Sequence, residues 1–407
     1  MNLVPSISRL LFLKGVILVT LFFTSALAST AALLTRDRVT GSEQVPTIET
    51  THYPFANSAG LTFVPVISQS PGGVTPEPVV VQPNFEINGQ GENVDSIAFW
   101  EAPEAAETLM FVTAKDNQLV EVWQYPFVDY ELPPLQDPAF GSNAQVNGLA
   151  VDQKGNRLYV SVSAPKSTVG VFSLPDLTFI ETFLNGAVNL QSEPNVTLLE
   201  HAGGQSWLYV SSETSVYIHN ALTGVAIGQF EPSKGLETMA ADNFYQAIYV
   251  PDENDRTGIY AYQPDGTPYE HNGTNNFGGN AFDDDAEGII LYTCPADGSR
   301  DDGRGFIVIA EQRNDLTDFE FFDRQTWVHL ATLNIAGVSN TDGIASTQRS
   351  LPGYPLGIFA AINDDTSVAG VGWDVVLNAL DLSCSTSAAA ATLNVAHSCP
   401  VSSKDSR

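Results

Sequence analysis

Basic residues are scarce: 17 Lys and Arg stand against 47 Asp and Glu in 407 residues, a formal net charge of −30. So acidic a surface repels phosphate backbones and anionic lipid, which sets nucleic acid and membranes aside as partners. It leaves the acids two roles, solubilising the surface or gathering around a hard cation such as Ca2+. Only three cysteines occur, Cys294, Cys384 and Cys399. None lies in a C-x-x-C or Cys/His spacing, so structural zinc is not expected. An odd number leaves one thiol unpaired. Cys384 and Cys399, which flank a Ser/Ala-rich stretch, are the expected pair. No G-x-S-x-G elbow, H-E-x-x-H helix or P-loop is present, and the six His mark no nucleophilic triad. Long heptad-like runs are missing too. The 32 Gly, 24 Pro and abundant β-branched residues favour an all-β chain.

The first 28 residues read as a signal peptide. Arg9 and Lys14 precede an apolar run from Gly15 to Leu27, and Ala26-Leu27-Ala28 supplies an A-x-A cleavage pattern. The uncharged run is short for a membrane span, although an uncleaved signal anchor is the alternative. The sequons at Asn195 and Asn272 agree with export and glycosylation. Residues 29–75, rich in Ser, Thr, Pro and Gly, read as a low-complexity extension, and 381–407 as a Ser/Ala-rich tail. The stretch between them, 76–380, reads as one domain.

Within that domain a unit recurs. Short apolar strands begin at 109 (LMFVTA), 157 (RLYVSV), 207 (WLYVSS), 247 (AIYVPD), 305 (GFIVIA) and 356 (LGIFAA). A polar turn follows each, and then, in most, a second alternating strand such as QLVEVWQY or DFEFFDR. The spacing suits propeller blades, so the expected fold is a six-bladed β-propeller of four-stranded antiparallel blades. A pair of β-sandwiches is the runner-up. The run EPVVVQPNFEI from residue 77 is placed to add an outer strand that closes the ring on the last blade.

Acids stand near the start of several units: Asp95, Glu237, the cluster Asp283-Asp284-Asp285 with Glu287, and Asp342, while Glu253 follows the strand of the fourth. In a propeller, loops distant in sequence meet at one end of the tunnel. Asp285 and Glu287 are two apart, so in an extended segment they project to one side. Asp is also an ordinary turn residue. The packing of so many like charges is what favours a bound cation over simple turns.

At these residues the chain resembles the β-propeller phytases. NTDGIASTQRSLPGYPLGIFAAIND resembles that family's T-D-G-I segment and the strand after it. DAEGIILY resembles its D-x-E-G-L-x-x-Y motif, and ETMAADNFYQAIYVPDE its E-G-x-x-A-D segment, with Thr238 and Gln246 where glycines are usual. DSIAFW and VTAKDNQLVEVW resemble the first-blade motifs, in the family's order. The resemblance implies a secreted, monomeric enzyme that hydrolyses phosphomonoesters of phytate with several Ca2+ ions. It implies calcium ligands at Asp95, Glu237, Glu253, Asp285, Glu287 and Asp342, with Glu253 and Asp285 at the catalytic centre. Lys115 matches one lysine of the phosphate-binding pair, and Arg313 is the best placed compensating cation.

The phosphate side departs from the family. Ser96 replaces an Asp, Asp116 the second lysine, and Glu213 a lysine, while Asn195 stands where a substrate-facing Tyr is usual. Two other readings therefore stay open: a calcium-binding propeller with weakened catalysis that serves as a ligand- or partner-binding module, and a propeller lactonase.

Overall fold

The computed structural model describes residues 77–385, apart from 90, 128–130, 136–142, 192, 233–235, 237, 253–256 and 295–299. The expected signal peptide and extension, and nearly all of the expected tail, lie outside these residues. Among the described residues no helix is long and apolar enough to cross a membrane.

The chain folds as a six-bladed β-propeller, and the sandwich alternative is excluded. Each blade is an antiparallel meander. Its second strand is one of the apolar runs found in the sequence: Leu109–Ala114, Arg157–Val162, Ser206–Ser211, Ala247–Pro251, Gly305–Gln312 and Ile358–Asn363. These runs are apolar on successive residues because they are covered on both faces, which a half-exposed strand is not. Six apolar clusters hold the ring together, one between each pair of neighbouring blades. A blade buries its faces only against its neighbours, so the ring stands or falls as a unit.

Closure uses the segment that the sequence pointed to. Phe85–Asn88 pairs antiparallel with Ser367–Gly372, so the last blade takes its outer strand from the start of the domain. The preceding strand, Val79–Val81, adds a fifth, parallel strand to blade 5 beside Leu333–Ile335. One stretch of chain thus binds both sides of the last blade junction. A short helix, Trp373–Ala379, caps the same junction and buries Trp373, Val376 and Leu377.

A covalent bond reinforces the cap, but not the expected one. Cys384 is bonded to Cys294, with Cα atoms 5.7 Å apart. A sulfur forms one such bond, so the Cys384–Cys399 pairing is corrected. The helix folds the chain back against blade 5, where Cys294 is fully buried in the same cluster as Trp373. Proximity along the sequence carried no information about that return.

Candidate metal and phosphate site

The tunnel is lined by the first strand of each blade: Val94–Trp100, Val146–Asp152, Val196–Glu200, Ala240–Asp242, Asp285–Thr293 and Ile344–Thr347. In blades 1, 2 and 5 the pairing slips near the start of this strand. Val94 pairs with Ala114, then Ile97 with Val112; Val146 pairs with Val162, then Leu149 with Val160; Ala286 pairs with Glu311, then Ile289 with Ile309. Each slip is a β-bulge, a device that bends a strand and re-aims a side chain. The bulged residues are Asp95-Ser96, Asn147-Gly148 and Glu287-Gly288. Asp342-Gly343 holds the corresponding place just ahead of the blade 6 strand. Asp95 and Glu287 thus sit on bulges within strands rather than on the turns before them.

The small second residue of these pairs lets the strands converge. A Cβ on Gly343 would lie 2.1 Å from the carbonyl oxygen of Asp95, and one on Gly288 would lie 2.9 Å from that of Asp342. Only glycine tolerates such backbone contacts. Blades 5, 6 and 1 therefore meet at one point. Asp95, Glu287 and Asp342 line a single cavity of about 350 Å3, together with Asn147, Glu193 and Asn195.

This is a concentration of like charge. Burial pushes the Asp342 carboxyl up to about 8, helped by the negative charges of Asp95, Asp365 and Glu287 and opposed by Lys115. Gln312 donates to Asp342. Lys115 is the cation at the centre: its Nζ lies 2.7 Å from Asp95 Oδ1 and 2.9 Å from Glu193 Oε1. Asp365, shifted upward by burial, also feels Lys115, Asp364 and Asp95, and its Oδ1 is buried with no hydrogen-bond partner. Asp364 and Asp365 both adopt positive φ, as a tight hairpin turn of mirror-image type requires. That turn brings Asp365 next to Asp342, Lys115 and Asp95.

The other expected residues divide. Asp285 pairs with Gln312 at the start of the blade 5 strand but does not line the cavity. Glu237 and Glu253 lie outside the described residues. Arg313 gives its guanidinium to Asp318 at 2.8 Å and approaches Asp315 at 3.8 Å. Asn195 is half-buried in the wall, and its N–H donates to Ser211 Oγ at 2.7 Å. Asn272 is exposed on a turn, the better placed of the two sequons for a glycan.

Sequence reasoning missed Glu193, Asp365 and Gln312, and a second group of carboxylates inside blade 5. Oxygens of Glu311, Asp318 and Glu320 lie within 4.8 Å of one another. The only signal for the group was the pair Asp318 and Glu320, acids two apart in an otherwise aromatic strand. Burial, with Glu320 and Asp318 adding to it, pushes Glu311 up to about 7 against the lowering effect of the Asp283 and Asp284 amides. His329 and Thr332 bond to Glu320, and Asn334 donates to Asp318.

A closed ring whose tunnel mouth gathers carboxylates from three blades around one lysine defines an acidic-mouthed β-propeller. The family model described as Phytase matches residues 217–379, from the third strand of blade 3 through the capping helix. A 3-phytase of Bacillus subtilis (strain 168) is 26% identical over 148 residues, which cover 34% of this chain and 36% of that protein. The match thus spans about a third of the curated relative. The similarity to the β-propeller phytases read from the sequence is therefore found again, in the half of the ring that carries Glu287, Asp342 and Asp365. Among solved structures, a chain in the crystal structure of the mitotic checkpoint complex has a TM-score of 0.46 at 11% identity, covering 77% of this chain and 98% of that one. A chain of the Kuenenia stuttgartiensis hydrazine synthase has a TM-score of 0.47 at 12% identity, covering 73% and 81%. Neither likeness bears on function.

Proposed function

We propose that the protein is a secreted, calcium-dependent phosphomonoester hydrolase of the 3-phytase type. The observation that carries this reading is the meeting of Asp95, Glu287 and Asp342 at one cavity in a chain that matches the Phytase family. The donor set fits a hard cation. It consists of carboxylate oxygens, and the Asp365 Oδ1 is buried and lacks a partner. An oxygen-only, irregular, multi-carboxylate set of this kind suits Ca2+. Asp95, Glu287, Asp342 and Asp365 would hold the metal, joined by Asp285, Glu237 and Glu253. Bound there, calcium supplies positive charge for a phosphate ester and acidifies water.

The chain's own residues do the rest. The glycines at the bulges hold the carboxylates in fixed positions, so little reorganisation is needed when charge develops. Lys115, anchored between Asp95 and Glu193, holds one ammonium against the Asp95 carboxylate of the cavity. Secretion is supported by the N-terminal apolar segment and by the exposed sequon at Asn272.

A specific observation favours the second reading, a calcium-binding propeller with weakened catalysis. Lys115 and Arg313, the two expected phosphate clamps, are both engaged by carboxylates. The test is release of phosphate from phytate and from a generic phosphomonoester, each with Ca2+ and with chelator. Calcium-dependent release supports the hydrolase. Calcium binding with no release across mildly acid to mildly alkaline pH supports the binding module. Turnover of a lactone panel alone would point to the lactonase.

A further inference from the structure

We propose that Glu311 is a positioning residue for the tunnel mouth: its carboxylate clamps the Asp283-Asp284 turn, and that turn sets how Asp285 and Glu287 enter the site. The inference rests on the reading of these two acids as metal ligands.

Glu311 is 1% exposed and lies on the second strand of blade 5, paired with Ala286, the residue between Asp285 and Glu287. The same register position in blade 1 is Ala114 and in blade 2 is Val162. A carboxylate in blade 5 thus replaces an apolar side chain at an interior position, where a buried charge is costly unless it is bonded. Its bonds are specific. A single oxygen, Oε1, accepts the N–H of Asp283 at 2.9 Å and the N–H of Asp284 at 2.7 Å. Hydrogen bonds to a charged acceptor away from water are strong.

The need for such a clamp follows from the bulge. Ladder pairing is regular at Asp285 and Ala286 and resumes only at Ile289. Across Glu287-Gly288 the ladder does not fix the backbone. The acids Asp283, Asp284 and Asp285 repel one another and would splay the entering chain. An anchor directly upstream therefore decides where the bulge begins. Blade 1 uses a related device from its third strand: Glu121, 1% exposed, accepts the N–H of Gly91 in the entering segment at 2.8 Å. The neighbours Asp318 and Glu320 have donors of their own, from Arg313 and Asn334 and from His329 and Thr332. The donors to Glu311 are the turn.

Calorimetric titration of the full-length protein with Ca2+ alone tests the role. Glu311→Gln retains an oxygen acceptor and is expected to bind with the wild-type number of ions and within about twofold of wild-type affinity. Glu311→Leu removes the acceptor and is expected to weaken binding at least about tenfold, as loss of a ligand-orienting partner does. If Glu311→Leu does not fold, Glu311→Asp replaces it. That variant keeps the charge but shortens the arm, and it is expected to weaken binding likewise. Wild-type affinity in the Leu or Asp variant overturns the proposal. Loss of one whole ion in Glu311→Gln also overturns it, because the three carboxylates would then be a metal site of their own. Amide hydrogen exchange across 283–288 without metal reads the clamp independently of function. Exchange faster in Glu311→Leu, or in the Asp variant, than in Glu311→Gln supports the proposal, and equal exchange overturns it. A wild-type protein that binds no Ca2+ but passes the exchange test would sink the hydrolase reading and leave the clamp standing.

Discussion

Lys115 and Asp95 form a nearly buried ion pair, Nζ to Oδ1 2.7 Å, with the two side chains 10% and 11% exposed. Glu193 completes a bridge from blade 1 to the entry of blade 3. Lys115→Met would leave the nearly buried Asp95 carboxylate without its cation. Without metal, the variant should lose about 3 kcal/mol of stability, the lower end of the cost of breaking a buried pair. Calcium should restore more stability to the variant than it adds to the wild type, because it replaces the missing positive charge. Denaturant melts with chelator and with Ca2+ measure both effects. Equal calcium responses would refute the expectation.

The pH response of the metal-free protein follows from Asp342 and Glu311. Their folded carboxyls titrate near 8 and 7, above the ordinary values of 3.8 and 4.5. The folded state therefore holds protons that the unfolded chain has released. The stability these groups contribute is complete below about pH 4 and is lost as pH rises through 7 and 8. Metal-free protein should melt at a lower temperature at pH 9 than at pH 6. Calcium must displace the Asp342 proton, so its affinity should rise with pH and level off above about 8. A calcium affinity independent of pH across this window would contradict the assignment.

Gly343→Ala tests the convergence of blades 6 and 1. The added methyl would fall 2.1 Å from the backbone oxygen of Asp95 and 3.0 Å from the Cα of Ser96. Backbone cannot step aside as a side chain can. The substitution should cost about 2 kcal/mol, within the range for overpacking, and should weaken calcium binding more than an alanine at Gly353, where nothing lies within 4 Å of the new atom. Because Gly353 has a positive φ, that control carries a small backbone cost of its own. Thermal melts and calcium titration of the two variants give the comparison.

The disulfide closes 90 residues of chain. In the chain-entropy account its loss costs about 4.6 kcal/mol, and the bond lies at the junction of blades 5 and 6 where the N-terminal strands also bind. Cys294→Ser should lower the melting temperature, and non-reducing peptide mapping of the wild type should recover Cys294 joined to Cys384. Recovery of Cys384 joined to Cys399 would reinstate the expectation from the sequence.

The blades were legible in the sequence because their signal is local. LMFVTA or GFIVIA is continuously apolar since both its faces are covered, and the following alternation and turn lie within a few residues. Asp95, Glu287 and Asp342 were legible through motif likeness and through their place ahead of each apolar run. The bulges that aim them were hidden, because a bulge is a relation between two strands: nothing in DAEG alone says that Ala286 meets Glu311 while Ile289 meets Ile309. Glu193 and Asp365 were unremarkable loop acids until the ring brought them to Lys115 and Asp342.

By itself the amino-acid order determined an all-β ring of six units and a strongly acidic character, because strand alternation, composition and charge depend only on neighbouring residues and their sums. Ring closure decided the rest. It selected which carboxylates share a cavity, which sulfur reaches Cys384 and which buried glutamate faces a turn, since each of these is a contact across tens or hundreds of residues that exists only once every blade has packed against the next.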